Sequence, residues 1–178
     1  MTPAGPLVVV VSGSECTGKT TLARDLAARF GAPCSSEFSR EYLEQKGRPL
    51  DASDVEAIAR GQRAAEDAAR AAAAGVLIKD TDLVSTVVYA RHYYGACPAW
   101  IERAARERRG GLYLLLHPDV PWVADGPQRD RPASRAELHG LFARTLAEFG
   151  ARVIDIAGGW EARRASAFAA VDQALAGR

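Results

Sequence analysis

The sequence predicts an α/β fold in which a doubly wound parallel sheet of five strands packs between two layers of helices. Two observations support this prediction. Short apolar runs alternate along the chain with longer helical segments, which is the order of βαβ units with right-handed crossovers. The first run, 7–11, is β-branched and apolar on both faces, as is typical of a strand covered by helices on both sides.

The elements follow in order from hydrophobic pattern and capping residues. Strands are predicted where Val, Ile and Leu cluster between turn residues, and helices where Ala-rich stretches begin at capping side chains such as Asp51 and Asp54. The predicted strands are 7–11, 33–36, 76–80, 112–116 and 152–156. The predicted helices are 19–30, 40–46, a long helix that is capped by 51–54 and runs to about 74, 83–94, 98–108, 135–149 and 160–175. The stretch 118–134 is rich in Pro, Gly, Asp and Arg and predicts a mobile loop.

Length, charge and cysteine content exclude several classes of protein. A chain of 178 residues predicts a single domain, 1–178. The formal net charge of +1 provides no basic field for nucleic acid or an anionic membrane. Cys16, Cys34 and Cys97 lack the spacing of a disulfide framework or a zinc motif, so we expect reduced thiols in a cytoplasmic protein. No run is long enough to span a bilayer, and the start of the chain lacks a signal-peptide pattern.

A phosphate-binding loop is predicted directly after the first strand. The segment beginning at Gly13 fits G-x-x-x-x-G-K-[ST] at every fixed position, between an apolar strand and a helix. Backbone N–H groups of such a loop surround the β-phosphate of a nucleoside triphosphate. Lys19 is expected to reach the β- and γ-oxygens, and the Thr20 hydroxyl to coordinate Mg²⁺. The predicted ATP-binding residues are Gly13, Ser14, Glu15, Cys16, Thr17, Gly18, Lys19, Thr20 and Thr21. The fold is therefore predicted to be that of a P-loop NTPase of the nucleoside-monophosphate-kinase type.

Carboxylates are predicted at the same edge of the sheet, where ligands of parallel sheets bind. Asp80 and Asp82 follow the third strand. One of them can hold Mg²⁺ through water while the other orients an acceptor, or one can simply cap the next helix. Glu37 follows the second strand and is a candidate general base for a substrate hydroxyl, the alternative being a solvated carboxylate at a helix start. Arg40 can steady phosphate or substrate, or lie on the surface.

Three arginines lie in or beside the loop, in a segment at about 122–135 that we interpret as a lid. Arg129 is a candidate catalytic residue, and Arg131 and Arg135 are candidate ligands of the nucleotide phosphates. An arginine on a closing loop can accelerate phosphoryl transfer on the order of 10³-fold, and closure excludes water. A solvated basic loop is the alternative.

The remaining ring side chains carry weaker signals. The three histidines, His92, His117 and His139, are scattered without ligand spacing, which favours surface or packing roles. Tyr93 can stack on a planar substrate ring, although aromatic residues of this kind more often belong to the core.

Six motifs occur together in a recognisable order. They are Gly13–Thr21, Glu37-Phe-Ser-Arg-Glu-Tyr-Leu43, Ala59-Arg-Gly-Gln62, Asp80-Thr-Asp82, Tyr93-Tyr-Gly-Ala-Cys-Pro-Ala-Trp100 and Pro121-Trp-Val-Ala-Asp-Gly126. This series resembles the ribosylnicotinamide kinase domain of NadR-type bacterial NAD-salvage proteins, from the first strand to the last helix. The resemblance implies a kinase that converts nicotinamide riboside to nicotinamide mononucleotide with ATP and Mg²⁺. It also implies that the acceptor site is lined by Glu37, Arg40, Gln62, Asp80 and Asp82, with the arginines after Asp125-Gly126 in the lid.

Two departures from the family pattern bear on the acceptor. The lid reads Asp125-Gly-Pro-Gln-Arg129, with its arginine one place later than in the Asp-Gly-Leu-Arg of the family, and Ser36 replaces an aromatic residue of some members. Two other functions stay open: a kinase of another nucleoside or small alcohol, and a regulatory ATP-binding module. The sequence contains no H-x-G-H-type site, so we do not expect it to adenylylate its product.

Overall fold

A computed structural model describes residues 5–123 and 133–178 of the chain. The strands of the described part are β1 (Leu7–Gly13), β2 (Cys34–Ser35), β3 (Val76–Asp80), β4 (Leu112–Leu116) and β5 (Val153–Ile156). The helices of the described part are α1 (Lys19–Phe30), α2 (Phe38–Lys46), α3 (Val55–Ala71), α4 (Leu83–Tyr94), α5 (Ala99–Glu107), α6 (Ser134–Glu148) and α7 (Trp160–Ala176). None of the helices in these two ranges combines the length and the apolar content that a bilayer crossing requires.

The strands form one five-stranded parallel sheet in the order β2-β3-β1-β4-β5, which confirms the predicted doubly wound architecture. The first strand lies at the centre, and the chain fills one side of it before crossing to the other. Val11 pairs with Asp80 of β3, and Gly13 pairs with Leu116 of β4. The loop after β1 therefore lies at the carboxyl edge, between the ends of its two neighbours.

Two apolar cores lie on opposite faces of the sheet, and the alternation of side chains along β1 separates them. Val8 and Val10 pack with residues of α3, α4, α5 and α6 in one core. Val9 and Val11 pack with residues of α1 and α7 in the other. Because both faces of β1 are buried, every residue of this strand is apolar or small.

The boundaries differ from the predictions mainly around the short second strand. The strand comprises two residues rather than the predicted 33–36, and α2 begins at Phe38 rather than at 40. The earlier start has a tertiary cause, because the Phe38 N–H donates to Gln62 Oε1 at 3.0 Å. The capping residues before α3 form a separate 3₁₀ turn, closed by a capping box between Asp51 and Asp54, and α3 ends at Ala71 rather than at 74.

Candidate active site

The phosphate-binding loop is held in shape by bonds within the loop and by a tight contact behind it. Gly18 caps α1 in the left-handed conformation with φ 86°, and a Cβ added there would lie 2.4 Å from the ring of Trp160. Only glycine suits a position with both constraints. The Ser14 carbonyl accepts from Thr17 Oγ1 at 2.9 Å and from Lys19 Nζ at 2.8 Å. The loop therefore already holds the amine of Lys19 over its own backbone.

Arg163 of α7 joins the phosphate loop to the ends of two strands. Its buried guanidinium donates to the carbonyls of Thr17 at 3.2 Å and His117 at 2.7 Å, while Nε donates to the Gly158 carbonyl at 2.6 Å. An ion pair with Asp119 completes this set of contacts. Arg163 is not among the predicted site residues, because its partners lie up to 146 residues away in the chain.

Arg135 is the predicted lid arginine that falls within the described residues. It is buried in the first turn of α6, donates to the Val120 carbonyl at 2.9 Å and lies 3.4 Å from the Cys16 carbonyl. Its guanidinium carbon is 5.5 Å from the ring centroid of Trp122. The structure therefore places this cation against the phosphate loop. Arg129 and Arg131 lie outside the described residues, and their roles stay predictions.

Thr20 and Asp80 form the pair that the carboxyl-edge argument anticipates. The Thr20 hydroxyl donates to Asp80 Oδ2 at 2.7 Å, whereas Asp80 Oδ1 is buried and has no hydrogen-bond partner among residues 5–123 and 133–178. Burial raises the pKa of Asp80, and the bond from Thr20 opposes that shift. A buried carboxylate oxygen without a donor, next to a hydroxyl, fits a hard cation such as Mg²⁺, which prefers oxygen ligands.

Glu37 and Arg40 lie close to this pair at the start of α2. The negative charge of Glu37 raises the pKa of Asp80, and the positive charges of Lys19 and Arg40 lower it. Glu37 Oε1 accepts from the Ser39 hydroxyl at 3.1 Å, which orients the carboxylate. The structure therefore gathers a lysine, a hydroxyl, an arginine and two carboxylates at one edge of the sheet.

Gln62 positions the segment that carries Glu37. The Gln62 side chain is buried, and its Oε1 accepts from the N–H of Phe38, the residue after Glu37. The neighbouring Gly61 is in such close contact with Phe38 that an added Cβ would lie 2.0 Å from its ring. The predicted role of Gln62 in the acceptor site stays a prediction, but its contact with Phe38 ties α2 to α3.

Asp82 lies in a different environment from Asp80. Its Oδ1 accepts from the Val84 N–H at 3.0 Å and caps α4, and its Oδ2 accepts from the Tyr113 hydroxyl at 2.5 Å. Glu66 and Lys79, paired at 2.7 Å and each 1% exposed, lie close enough to affect its titration. Burial, followed by the charge of Glu66, raises the pKa of Asp82 to about 6. Asp82 therefore caps α4, which is the alternative role considered above. A substrate role for Asp82 stays a prediction.

Tyr93 lies near the end of α4 with 44% of its surface exposed. Its ring stacks on that of Tyr89, with centroids 5.9 Å apart and planes 8° apart. Tyr89 in turn packs edge-on against Phe142 of the core. The structure therefore presents Tyr93 as an exposed, supported ring, which is compatible with the predicted stacking role.

A cavity of about 160 Å³ lies beside the phosphate loop. Its lining residues are Thr17, Gly18, Thr21, Leu22, Asp25, Leu116, Trp160, Glu161, Arg163 and Arg164. The cavity contains neither Glu37 nor Asp80, so we assign the chemistry to the gathered side chains and not to the cavity.

Known proteins resemble the chain in sequence and in fold. It is 32% identical over 145 residues to the trifunctional NAD biosynthesis/regulator protein NadR of Escherichia coli (strain K12), covering 79% of this chain and 35% of that protein. A crystal structure of NadR protein in complex with NR superposes with a TM-score of 0.82 at 32% identity, covering 94% of this chain and 51% of the other. A second structure, of NadR in complex with NAD and AMP-PNP, gives 0.79 at 32% identity, with coverages of 94% and 49%.

The chain spans about a third of the Escherichia coli relative and about half of the NadR chains in the crystal structures. Residues 8–163 match the family model AAA_28, described as AAA domain. The chain therefore belongs to this family of P-loop domains.

Proposed function

We propose that the chain is an ATP-dependent kinase that phosphorylates nicotinamide riboside to nicotinamide mononucleotide in NAD salvage. The observation that carries this proposal is the group formed by Lys19, the Thr20–Asp80 pair and Glu37 at the end of a phosphate-binding loop. A cation, a place for a metal ion and a second carboxylate are the parts that phosphoryl transfer to a hydroxyl requires.

The choice of acceptor rests on the relatives. The NadR crystal structures have NR in one case and NAD with AMP-PNP in the other, and both align with 94% of this chain. NR is nicotinamide riboside, and AMP-PNP is an analogue of ATP. Because this chain spans only part of those proteins, the other activities implied by the word trifunctional are not transferred to it.

Magnesium is proposed as the metal, with Thr20 Oγ1 and Asp80 as the groups that hold it directly or through water. Asp80 Oδ1, which has no hydrogen-bond partner in the described part of the chain, supports this assignment. A bound Mg²⁺ supplies neutralisation of the phosphate oxygens during transfer. We further propose a cytoplasmic location, which the three unpaired cysteines support.

Lys19, Arg135 and Glu37 are each proposed to have a separate role in phosphoryl transfer. Lys19 is proposed to leave the Ser14 carbonyl and neutralise the terminal phosphate, while the backbone N–H groups of the loop hold the phosphate before it. Arg135, fixed beside the Cys16 carbonyl, contributes positive charge at the mouth of the loop. Glu37 Oε1 is occupied by Ser39, so Oε2 is the oxygen proposed to accept the proton of the riboside hydroxyl as it attacks.

Acceptor-dependent turnover tests the proposal. We expect a coupled ADP-release assay with a panel of nucleosides to give the highest rate with nicotinamide riboside, and Lys19→Ala to abolish turnover. If the highest rate were obtained with another nucleoside, the chain would still be a kinase, but nicotinamide riboside would not be its acceptor. Hydrolysis without any acceptor-dependent rate would instead favour the regulatory ATP-binding module.

Glu37→Gln tests the general base separately. Because the amide cannot accept the proton, we expect kcat to fall by about 10²- to 10⁴-fold while the affinity for ATP is unchanged. Glu44→Gln, an exposed position on the same helix, is the matched control and is expected to retain the rate. A Glu37→Gln enzyme with full turnover would remove Glu37 from the mechanism.

A further inference from the structure

Three side chains that commonly bind transition metals meet at the edge of the sheet, although the sequence analysis found no ligand spacing among the histidines. His117 directly follows β4, Asp155 lies in β5 and His139 lies in α6. A ring nitrogen of each histidine and a carboxylate oxygen of Asp155 all lie within 4.8 Å of one another. None of the three belongs to the predicted catalytic or binding residues.

We propose that His117, His139 and Asp155 form a site for a divalent transition metal of the zinc class, separate from the magnesium site at Thr20 and Asp80. Imidazole nitrogens suit zinc and its neighbours in the first transition row, whereas magnesium prefers oxygen ligands. Two imidazoles and one carboxylate leave a further coordination position for water or an added ligand.

The distances fit binding after a small contraction. His117 Nε2 and Asp155 Oδ1 are 3.0 Å apart, and the two imidazole centroids are 4.3 Å apart. Zinc bonds of about 2.0 to 2.2 Å require the three ligand atoms to approach one another more closely than 4.8 Å. Binding replaces the hydrogen bond between His117 Nε2 and Asp155 Oδ1 with two metal bonds.

His139 is prepared as a ligand by its own surroundings. Its Nδ1 is inaccessible to solvent and has no hydrogen-bond partner within residues 5–123 and 133–178. The ring is held beside the Leu116 backbone, and the buried Nδ1 is the nitrogen that we assign as the metal ligand.

The backbone holds two of the ligands in register. Asp155 pairs with Leu115 of β4, and the His117 N–H donates to the Ile156 carbonyl at 2.9 Å. The His117 carbonyl accepts from Arg163 at 2.7 Å. Ligands on paired strands keep their spacing without a metal, so little of the binding free energy is needed to order them.

Zinc binding to the metal-free full-length chain tests the proposal. We expect calorimetric titration with ZnSO₄ in saturating Mg²⁺ to give one site per chain, and Zn²⁺ to raise the melting temperature because it binds the folded state. We expect His139→Asn and Asp155→Asn each to weaken binding by at least about tenfold. His92→Asn removes the histidine outside the cluster and is expected to leave binding unchanged.

Co²⁺ identifies the ligands by spectroscopy. The proposed site predicts visible absorption of a nitrogen- and oxygen-ligated ion without the intense near-ultraviolet band of cobalt–thiolate bonds. Circular dichroism reports whether each variant folds. If His139→Asn fails to fold, Asp155→Asn still tests the proposal, because Asp155 is exposed and its substitution is not expected to disturb folding. No uptake of Zn²⁺ by the folded wild type, equal affinity in the Asp155→Asn variant, or a thiolate band would each overturn the proposal.

Discussion

Asp80 and Asp82 are separated by one residue, yet they serve opposite layers of the molecule. Asp80 faces α1, accepts one bond from Thr20 and keeps a buried oxygen without a partner in the described part of the chain. Asp82 faces the layer of α3 and α4, and both of its oxygens accept hydrogen bonds. Thr81, with φ 66°, turns the backbone between them. Two carboxylates of one motif therefore differ in what they offer a ligand, because only Asp80 keeps an oxygen open to a metal ion.

The largest effect is expected from Asp80→Asn. The amide keeps the size of the side chain but holds a metal ion poorly, so we expect turnover to fall by about 10²-fold or more. Because burial raises the pKa of Asp80, removing its charge should leave the variant at least as stable at pH 7. Steady-state kinetics at several Mg²⁺ concentrations and a thermal melt measure the two effects. Wild-type turnover in the folded variant would exclude Asp80 from the metal site.

Glu66→Ala tests how much the buried Glu66–Lys79 pair, between α3 and β3, contributes to the free energy of unfolding. It leaves Lys79 charged and buried, and breaking such a pair costs about 3 to 5 kcal/mol of unfolding free energy. Urea unfolding measures this loss. The double variant Glu66→Met/Lys79→Met removes both charges and is expected to recover most of it. If Glu66→Ala were as stable as the wild type, the buried pair would not hold α3 to β3.

Asp82→Asn is expected to change how the stability of the chain depends on pH. The folded-state pKa of Asp82, about 6, lies above its ordinary value of 3.8, so the folded chain keeps a proton that the unfolded chain loses. This contribution to stability is present below pH 4 and is lost as the pH rises through 6. Relative to Asp82→Asn, the wild type should therefore lose up to about 3 kcal/mol between pH 4 and 7. Parallel stability curves for the two proteins would contradict the raised pKa.

Tyr113→Phe is expected to have the smallest effect. It removes the hydroxyl that donates to Asp82 and accepts from the Gly110 N–H, which costs about 1 to 2 kcal/mol of unfolding free energy. Phosphoryl transfer should be retained, because Asp80 lies on the other side of β3. A thermal melt and the coupled assay measure both quantities. A large loss of turnover at unchanged stability would instead favour a substrate role for Asp82.

The sequence was sufficient for the parts of the molecule that depend on local pattern. The strand before Gly13 and the helix after Gly18 predicted the phosphate loop, and the end of β3 predicted a carboxylate for Thr20. Those inferences need only the alternation of elements and the rule that parallel strands end at one edge.

The missing parts depend on side-chain direction and on distant partners. Periodicity identified β3 as a strand but could not indicate that Lys79 points to Glu66 while Asp80 points to Thr20. The partner of Lys79 is 13 residues earlier, on a helix whose rotation about its axis is set by packing. The meeting of His117 and His139 likewise requires the strand order, because chain spacing alone does not bring them together.

The contact between Trp160 and Gly18 has a practical consequence. This indole touches the residue that caps α1 and is 57% exposed, so we expect its surroundings to change when phosphates occupy the loop. We therefore expect its fluorescence emission to report nucleotide loading, with no dye attached. Replacing Trp160 with Phe would assign the signal among the tryptophans of the chain.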